Sequence, residues 1–296
     1  MQEEFITKRF RAESLVTIST ANDILEEYDA DGYTLTLRQL YYQFVARGFI
    51  ENTERSYKNL GSLVSDARMA GLIDWGYMTD RTRSLSDETT WTDVSDALST
   101  MVGWYSMDKW SGQEIRPEVW VEKDALIGII NKACAPYQVG TMSCRGFPSQ
   151  SVLYEAAQRI TRRFGEEEQV TEIIHLGDHD PSGVDMTRDI IDRLNTMTYG
   201  GVDSGMITVN RIALSMDQVR KFDPPPNPAK LTDSRAAKYV EKFGYESWEL
   251  DALQPQYMVE LIRQTIKGCM DQSAWEDAEA REEEGRDRLR ELATEE

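Results

Sequence analysis

Residues 171–189, TEIIHLGDHDPSGVDMTRD, constrain this chain more than any other stretch. Ile173, Ile174, His175 and Leu176 read as a short buried strand that delivers two carboxylates, Asp178 and Asp180, into a tight turn. Pro181, Ser182 and Gly183 then break the strand, and residues 184–194 read as a helix. Carboxylates separated by one residue repel, and each raises the other's pKa unless a cation lies between them. Hard oxygen ligands with an open edge suit Mg²⁺, which keeps several waters and bridges to phosphate. The expectation is a divalent-metal site at the carboxyl end of a parallel strand, where open α/β sheets place their ligands. Two blander readings compete. Asp178, Asp180, Ser182, Gly183 and Asp189 come close to a calcium-loop spacing, but such a loop follows a helix, and this one follows a β-branched run and contains Pro181. A strand-to-helix turn with an acidic cap and no metal also fits, since Asp, Ser and Gly are ordinary turn residues.

With 296 residues, 40% of them hydrophobic, the chain is long enough for two domains with real cores. Its net charge of −19 sets a condition on any nucleic-acid partner, because proteins that grip phosphate show a basic footprint. The acid is uneven. Residues 273–296 carry ten acids and four bases, whereas residues 33–72 carry five bases (Arg38, Arg47, Arg55, Lys58, Arg68) and three acids. A local positive face on an acidic body is therefore possible. Cys134, Cys144 and Cys269 lack metal-ligand spacing and are expected to be reduced core thiols of a cytosolic protein. His175 and His179 are the only histidines, which argues against a histidine-rich zinc site. No apolar run is long enough to span a membrane, and the start does not read as a signal peptide.

Leu15, Ile18, Ala21, Leu25 and Tyr28 fall at helical spacing, and residues 29–32 end that helix. Thr36 to Gln39 has the form of a capping box. Leu37, Leu40, Tyr41, Phe44 and Val45 then form one apolar stripe. A second helix is expected over residues 54–70, closed by Gly71, with Tyr57, Leu60, Leu63, Val64 and Ala67 buried and Arg55, Lys58, Asn59 and Ser62 outward. Residues 72–77 read as a short strand. That order is the order of a winged helix-turn-helix, whose second helix reads DNA; a plain αα-hairpin is the other possibility. Residues 82–112 read as a polar linker. From residue 118 strands and helices alternate, the sign of a parallel α/β sheet. The domain expectation is therefore residues 1–85 as a winged-helix domain, 86–115 as a linker, 116–270 as a parallel α/β domain and 271–296 as an acidic helical tail. Glu282 with Arg286 and Glu284 with Arg288 make i,i+4 pairs there, on a face read as solvated.

Two sets of residues carry chemistry. Glu122 ends the strand Val119-Trp120-Val121, and Asp178 and Asp180 end the later one. If both strands lie in the middle of one sheet, three carboxylates could ring Mg²⁺. Tyr42 lies off the apolar stripe, with Arg38 one turn earlier as its i,i+4 neighbour. A guanidinium there can hold a phosphate and favour tyrosinate, which makes the hydroxyl a competent nucleophile. The plain alternative is a packed Tyr42 beside a solvated Arg38.

Glu122 in VWVEKDAL followed by LGDHDPSG resembles the Toprim signature of one glutamate, then Asp-x-Asp. LRQLYYQF resembles the Arg-x-x-Tyr-Tyr segment of the DNA-cleaving subunit of topoisomerase VI, the type IIB topoisomerase, together with its double-strand-break relatives. Tyr42 stands at that family's nucleophile position and Arg38 at its arginine. Arg145-Gly146-Phe147-Pro148 and Trp248 to Leu253 resemble two further segments of the family, in the family's order. The chain is short for the full family member and is most similar to its compact relatives in phages and mobile elements. The resemblance implies a winged helix followed by a Toprim domain. It implies a homodimer that binds double-stranded DNA through residues such as Arg55, Lys58, Asn59 and Arg145. It implies Mg²⁺-dependent cleavage through a 5′-phosphotyrosyl link at Tyr42, with Glu122 as acid/base or metal ligand, Asp178 and Asp180 as metal ligands, and the partner copy completing each centre. Rejoining and a separate ATPase subunit belong to the same implication, as does a cytoplasmic, DNA-associated location. The rivals are a Toprim nuclease that uses water in place of Tyr42, and a non-catalytic DNA-binding factor.

Overall fold

A computed structural model describes residues 2–30, 32–79 and 90–295. In chain order its helices are α1 (Ala12–Ala30), α2 (Leu37–Ala46), α3 (Glu54–Met69), α4 (Val94–Trp104), α5 (Ile127–Cys134), α6 (Gln150–Glu167), α7 (Pro181–Met197), α8 (Met216–Phe222), α9 (Ala236–Phe243), α10 (Pro255–Gly268) and α11 (Gln272–Glu295). Its strands are β1 (Ile115–Val121), β2 (Gly140–Ser143), β3 (Val170–Leu176), β4 (Ile207–Ala213), β5 (Asn227–Pro228) and β6 (Glu246–Ser247). The protein is α/β, with a four-stranded parallel sheet and many helices. It divides into two compact units: Met1–Ser84 with Asp178–Pro181 and Leu214–Pro255, and Leu85–Gly177 with Ser182–Ala213 and Gln256–Glu296. The two units are interleaved along the chain, with Asp178–Pro181 and Leu214–Pro255 grouped with the N-terminal helices. The boundary expected at residues 85 and 86 lies outside the described residues.

In the first unit α1, α2 and α3 share a core of Ile18, Ile24, Leu25, Tyr28, Leu40, Phe44, Leu60, Val64 and Ala67. The Thr36 hydroxyl accepts from Gln39 N while the Gln39 side chain accepts from Thr36 N, so the expected capping box forms. Thr53 caps α3 in the same way through Ser56 N. Gly71, at φ 71°, turns the chain after α3, where an L side chain would be strained. Arg55, Lys58, Asn59 and Ser62 are exposed or half-buried on α3, outside its apolar core face. The strand expected over residues 72–77 does not form. Asp74 accepts from Gly76 N at 2.8 Å and caps a 3₁₀ turn, Trp75–Tyr77, and only Met78 bridges to Leu35. A short polar side chain has competed with the ladder for a backbone donor.

The second unit is built on the sheet, in order β2-β1-β3-β4. The expectation that the Glu122 strand and the Asp178 strand lie together in its middle holds: β1 and β3 are adjacent, from Ile115 opposite Val170 to Val121 opposite Leu176. The chain leaves β1 for β2 on one side and returns to β3 on the other. A reversal of this kind, at the carboxyl ends of β1 and β3, is the place where open α/β sheets take ligands. The helix after β3 starts at Pro181 rather than residue 184, since proline's fixed φ suits the first helical position.

Two tail-end expectations are corrected. Residues 94–104 of the expected linker form α4, capped by the Asp93 side chain at Asp96 N. On α11 Glu284 and Arg288 are exposed as expected, but the Glu282 pair is not solvated. Glu282 is buried, accepts from Met107 N at 2.9 Å, and pairs with Lys109 at 3.3 Å and Arg286 at 2.7 Å. Burial opposes its ionisation, but the Met107 N–H and those cations outweigh it and hold the carboxyl below its ordinary range.

Candidate functional site

In the first unit α2 presents Arg38 and Tyr42 one turn apart, and the 3₁₀ turn Leu250–Ala252 with Glu249 before it packs on α2. Tyr42 donates its hydroxyl proton to Glu249 Oε2 in a short hydrogen bond. Arg38 Nη2 donates to Tyr42 Oη at 3.3 Å. The same guanidinium lies 3.7 Å from Glu249 and 3.6 Å from Asp251. Burial lowers the Arg38 pKa, but the Tyr42 oxygen and the Asp251 and Glu249 carboxylates outweigh it, so the guanidinium stays charged. Burial, with Glu249 adding to it, raises the pKa of the neighbouring Tyr41, whose hydroxyl is tied to Asn52 and Thr53 O.

Tyr42, expected off the apolar stripe, is only 6% exposed and belongs to the same buried cluster as Leu40, Tyr41 and Phe44. Every residue from Gln39 to Val45 is buried, because residues 249–252 cover the second face of α2. Tyr42 still has a route outward. With Arg38, Tyr41, Asn52, Thr53, Glu54 and Tyr57 it lines a groove of about 240 Å³.

Asp178 belongs to this unit too. Its Oδ1 accepts from Leu250 N at 2.8 Å, between the two acids that face Arg38. His179 pairs with Trp248 through two backbone bonds, 2.8 and 3.0 Å long, and its ring packs against Phe243 and bonds Tyr239 Oη at 2.9 Å. His179 is thus a structural residue that fastens the acidic turn to residues 248–250.

In the second unit Glu122 follows β1 directly, and its N–H donates to Leu176 O at 2.9 Å. Its carboxylate lies over Gly177, the residue before Asp178. A Cβ at Gly177 would fall 3.0 Å from Glu122 Oε2 and 3.1 Å from Arg211 Nη1, so a side chain here would push both ends aside. Arg211, on β4, donates to Gly177 O at 3.0 Å, Gly183 O at 2.7 Å and Thr187 Oγ1 at 3.1 Å. It clamps the chain on both sides of the acidic turn. Burial first, then Arg211, pushes the His175 imidazole down to about 3, which keeps it neutral. Burial pushes Cys144 up to about 12 and Glu122 adds to it, while burial alone does the same to Cys134; both thiols are inert.

The donor chemistry of Glu122, Asp178 and Asp180 suits Mg²⁺. Among the described residues, however, no three carboxylate, imidazole or thiol groups are gathered into one cage. Arg145 is exposed at φ 52° and forks onto Asp124 at 3.2 and 3.3 Å. Lys58 pairs with Glu54 at 2.7 Å, and Arg55 and Asn59 lie on the same helix. Sequence reasoning missed Glu249, Asp251 and Arg211 as site residues. The first two sit in the Trp248 to Leu253 segment that the resemblance marks, but the meeting of Glu249 with Tyr42 spans 207 residues. Arg211 carried no signal beyond its place in a strand. No protein-family model matches the chain, and no curated protein matches it in sequence. No helix among the described residues is long and apolar enough to cross a membrane.

Proposed function

We propose that this protein cleaves duplex DNA by transesterification at Tyr42. The observation that carries the reading is the phenol of Tyr42, held between Arg38 and Glu249 on the wall of a groove. Glu249 takes the phenolic proton as Tyr42 Oη bonds to phosphorus, and Arg38 stabilises the anionic oxygens. The P–O bond to the 3′ oxygen breaks, which leaves a 5′-phosphotyrosyl link and a 3′-hydroxyl once that oxygen is protonated. The link conserves the energy of the broken strand, so rejoining is the same step reversed. Glu122, Asp178 and Asp180 would hold Mg²⁺ in this reading, and the ion would neutralise charge on the phosphate and the leaving oxygen. A second copy of the chain cuts the other strand, and a separate ATPase subunit would be needed for strand passage. The order of the four motifs and the capped helices α2 and α3, with Arg55 and an exposed Lys58 on α3, support the same reading.

The test is a supercoiled plasmid incubated with the protein and Mg²⁺, then denatured. Protein bound to 5′ ends in the wild type, and absent in Tyr42→Phe, is the expected result. Free ends that persist in Tyr42→Phe would replace this reading with a water-using nuclease. Binding with no cleavage under any condition would leave a DNA-binding factor.

A further inference from the structure

A second charged cluster lies in the sheet unit, at the amino end of β1, and the acids and tyrosine above do not include it. Arg116, Glu118 and Trp120 alternate along β1 and so share one face of the sheet. Glu155, Arg159 and Arg163 recur every four residues along α6, which covers that face. The Glu118 carboxylate is buried. Arg159 forks onto it at 3.0 and 2.8 Å, Arg163 reaches it at 3.3 Å, and Trp120 Nε1 donates at 3.2 Å. Arg163 also donates to Thr171 at 3.2 Å, and Arg116 leans on Asp108 at 2.7 Å.

This arrangement holds more guanidinium than it needs. One buried carboxylate faces two arginines, with a third beside them and Arg162 on the next turn. The bonds to Glu118, Thr171 and Asp108 use Nη1 of Arg163 and Arg116 and the Nε and Nη2 of Arg159, which leaves the other donors of each fork. Burial, together with repulsion from Arg116 and Arg159, lowers the Arg163 pKa despite Glu118, a sign that like charges crowd here. Two hollows open over these side chains, of about 410 and 360 Å³, and both are lined by Arg116, Arg159 and Arg163. Glu155, Glu166 and Glu167, all exposed, share the lining; among the arginines Arg162 is exposed and Arg159 39% exposed, whereas Arg163 is 13% and Arg116 22% exposed. The positive surplus is in the smaller hollow, where Arg116, Arg159, Arg162 and Arg163 face Glu166 and Glu167.

We propose that this groove binds phosphate groups, with Arg116, Arg159, Arg162 and Arg163 as its donors and Glu118 as the buried anchor that spaces them. Guanidinium forks match phosphate geometry, and an incoming phosphate relieves the repulsion among them. The DNA backbone is the source that fits the proposed cleavage, and only that choice of source rests on it.

The experiment compares wild type with an Arg116→Gln/Arg162→Gln variant, which leaves both Glu118 partners in place. An Arg188→Gln/Arg220→Gln variant, in exposed positions on α7 and α8, removes equal charge elsewhere. Thermal melting is followed with inorganic pyrophosphate. Duplex affinity is followed by anisotropy across a salt series, in a Tyr42→Phe background so that no DNA is cut. The expected result is pyrophosphate stabilisation of the wild type that the groove variant alone loses. For duplex it is a roughly tenfold weaker affinity and a salt slope shallower by about 2 in that variant, as lost phosphate contacts require. Loss in the pyrophosphate arm alone supports the groove with a free polyphosphate as occupant. Equal losses in both variants, or no response of the wild type to either probe, overturn the proposal. No readout uses cleavage, so its failure and that of the Tyr42 reading are told apart.

Discussion

The two guanidinium–carboxylate clusters are opposites in charge. In the helical unit one arginine, Arg38, faces two carboxylates and a phenol. In the sheet unit one carboxylate, Glu118, faces two arginines with a third at hand. A carboxylate surplus suits removal of a proton, but it repels phosphate unless added positive charge neutralises it. A guanidinium surplus attracts phosphate but offers no nucleophile. If both proposals hold, chemistry and grip occupy separate clusters, each with the charge that the other lacks.

The sharpest way to break this comparison is Tyr42→Phe. It should lower protein-linked 5′ ends by about a thousandfold or more, scored on denaturing gels. Next comes Glu118→Gln, which leaves partly buried arginines under-compensated and should cost about 3 kcal/mol of stability in a denaturant titration. Its pH dependence sharpens the point. Burial opposes ionisation of Glu118, but Arg159, Arg163 and Trp120 outweigh it and depress its pKa. The stabilisation is therefore complete above the unfolded-state value near ~4.3 and is lost as pH falls through the folded value. Glu118→Gln should flatten that acid limb, and an unchanged limb would mean the pair contributes nothing. Glu249→Gln should slow cleavage roughly tenfold to a hundredfold and remove the basic partner from the pH–rate profile, with partial rescue by Glu249→Asp. Last, Lys58→Gln on α3 should change stability by about 0.5 kcal/mol or less, because its pair with Glu54 is exposed. If α3 touches DNA, the same change should make the salt slope shallower by about 1.

Local signals were legible. Thr36 with Gln39 announces α2 through side chains that satisfy nearby N–H groups. The pairing of β1 with β3 was legible from their apolar carboxyl halves, Val119-Trp120-Val121 in one and Ile173, Ile174 and Leu176 in the other. What failed was decided by partners far off in the chain. Glu282 reads as one member of a solvated i,i+4 pair, yet Met107 N and Lys109 bury it. Residues 94–104 read as linker, yet they form α4, which packs on α11. At the candidate site, Arg38 and Tyr42 declare themselves by helical spacing, whereas the acids that face them arrive through packing alone.

The bond from Leu250 N to Asp178 Oδ1 has a consequence for the site. Leu250 stands between the two anions that engage the phenol and its arginine. That one main-chain tether fixes where the two anions stand, so the seating of the acidic turn and the setting of Arg38 are a single feature of the fold.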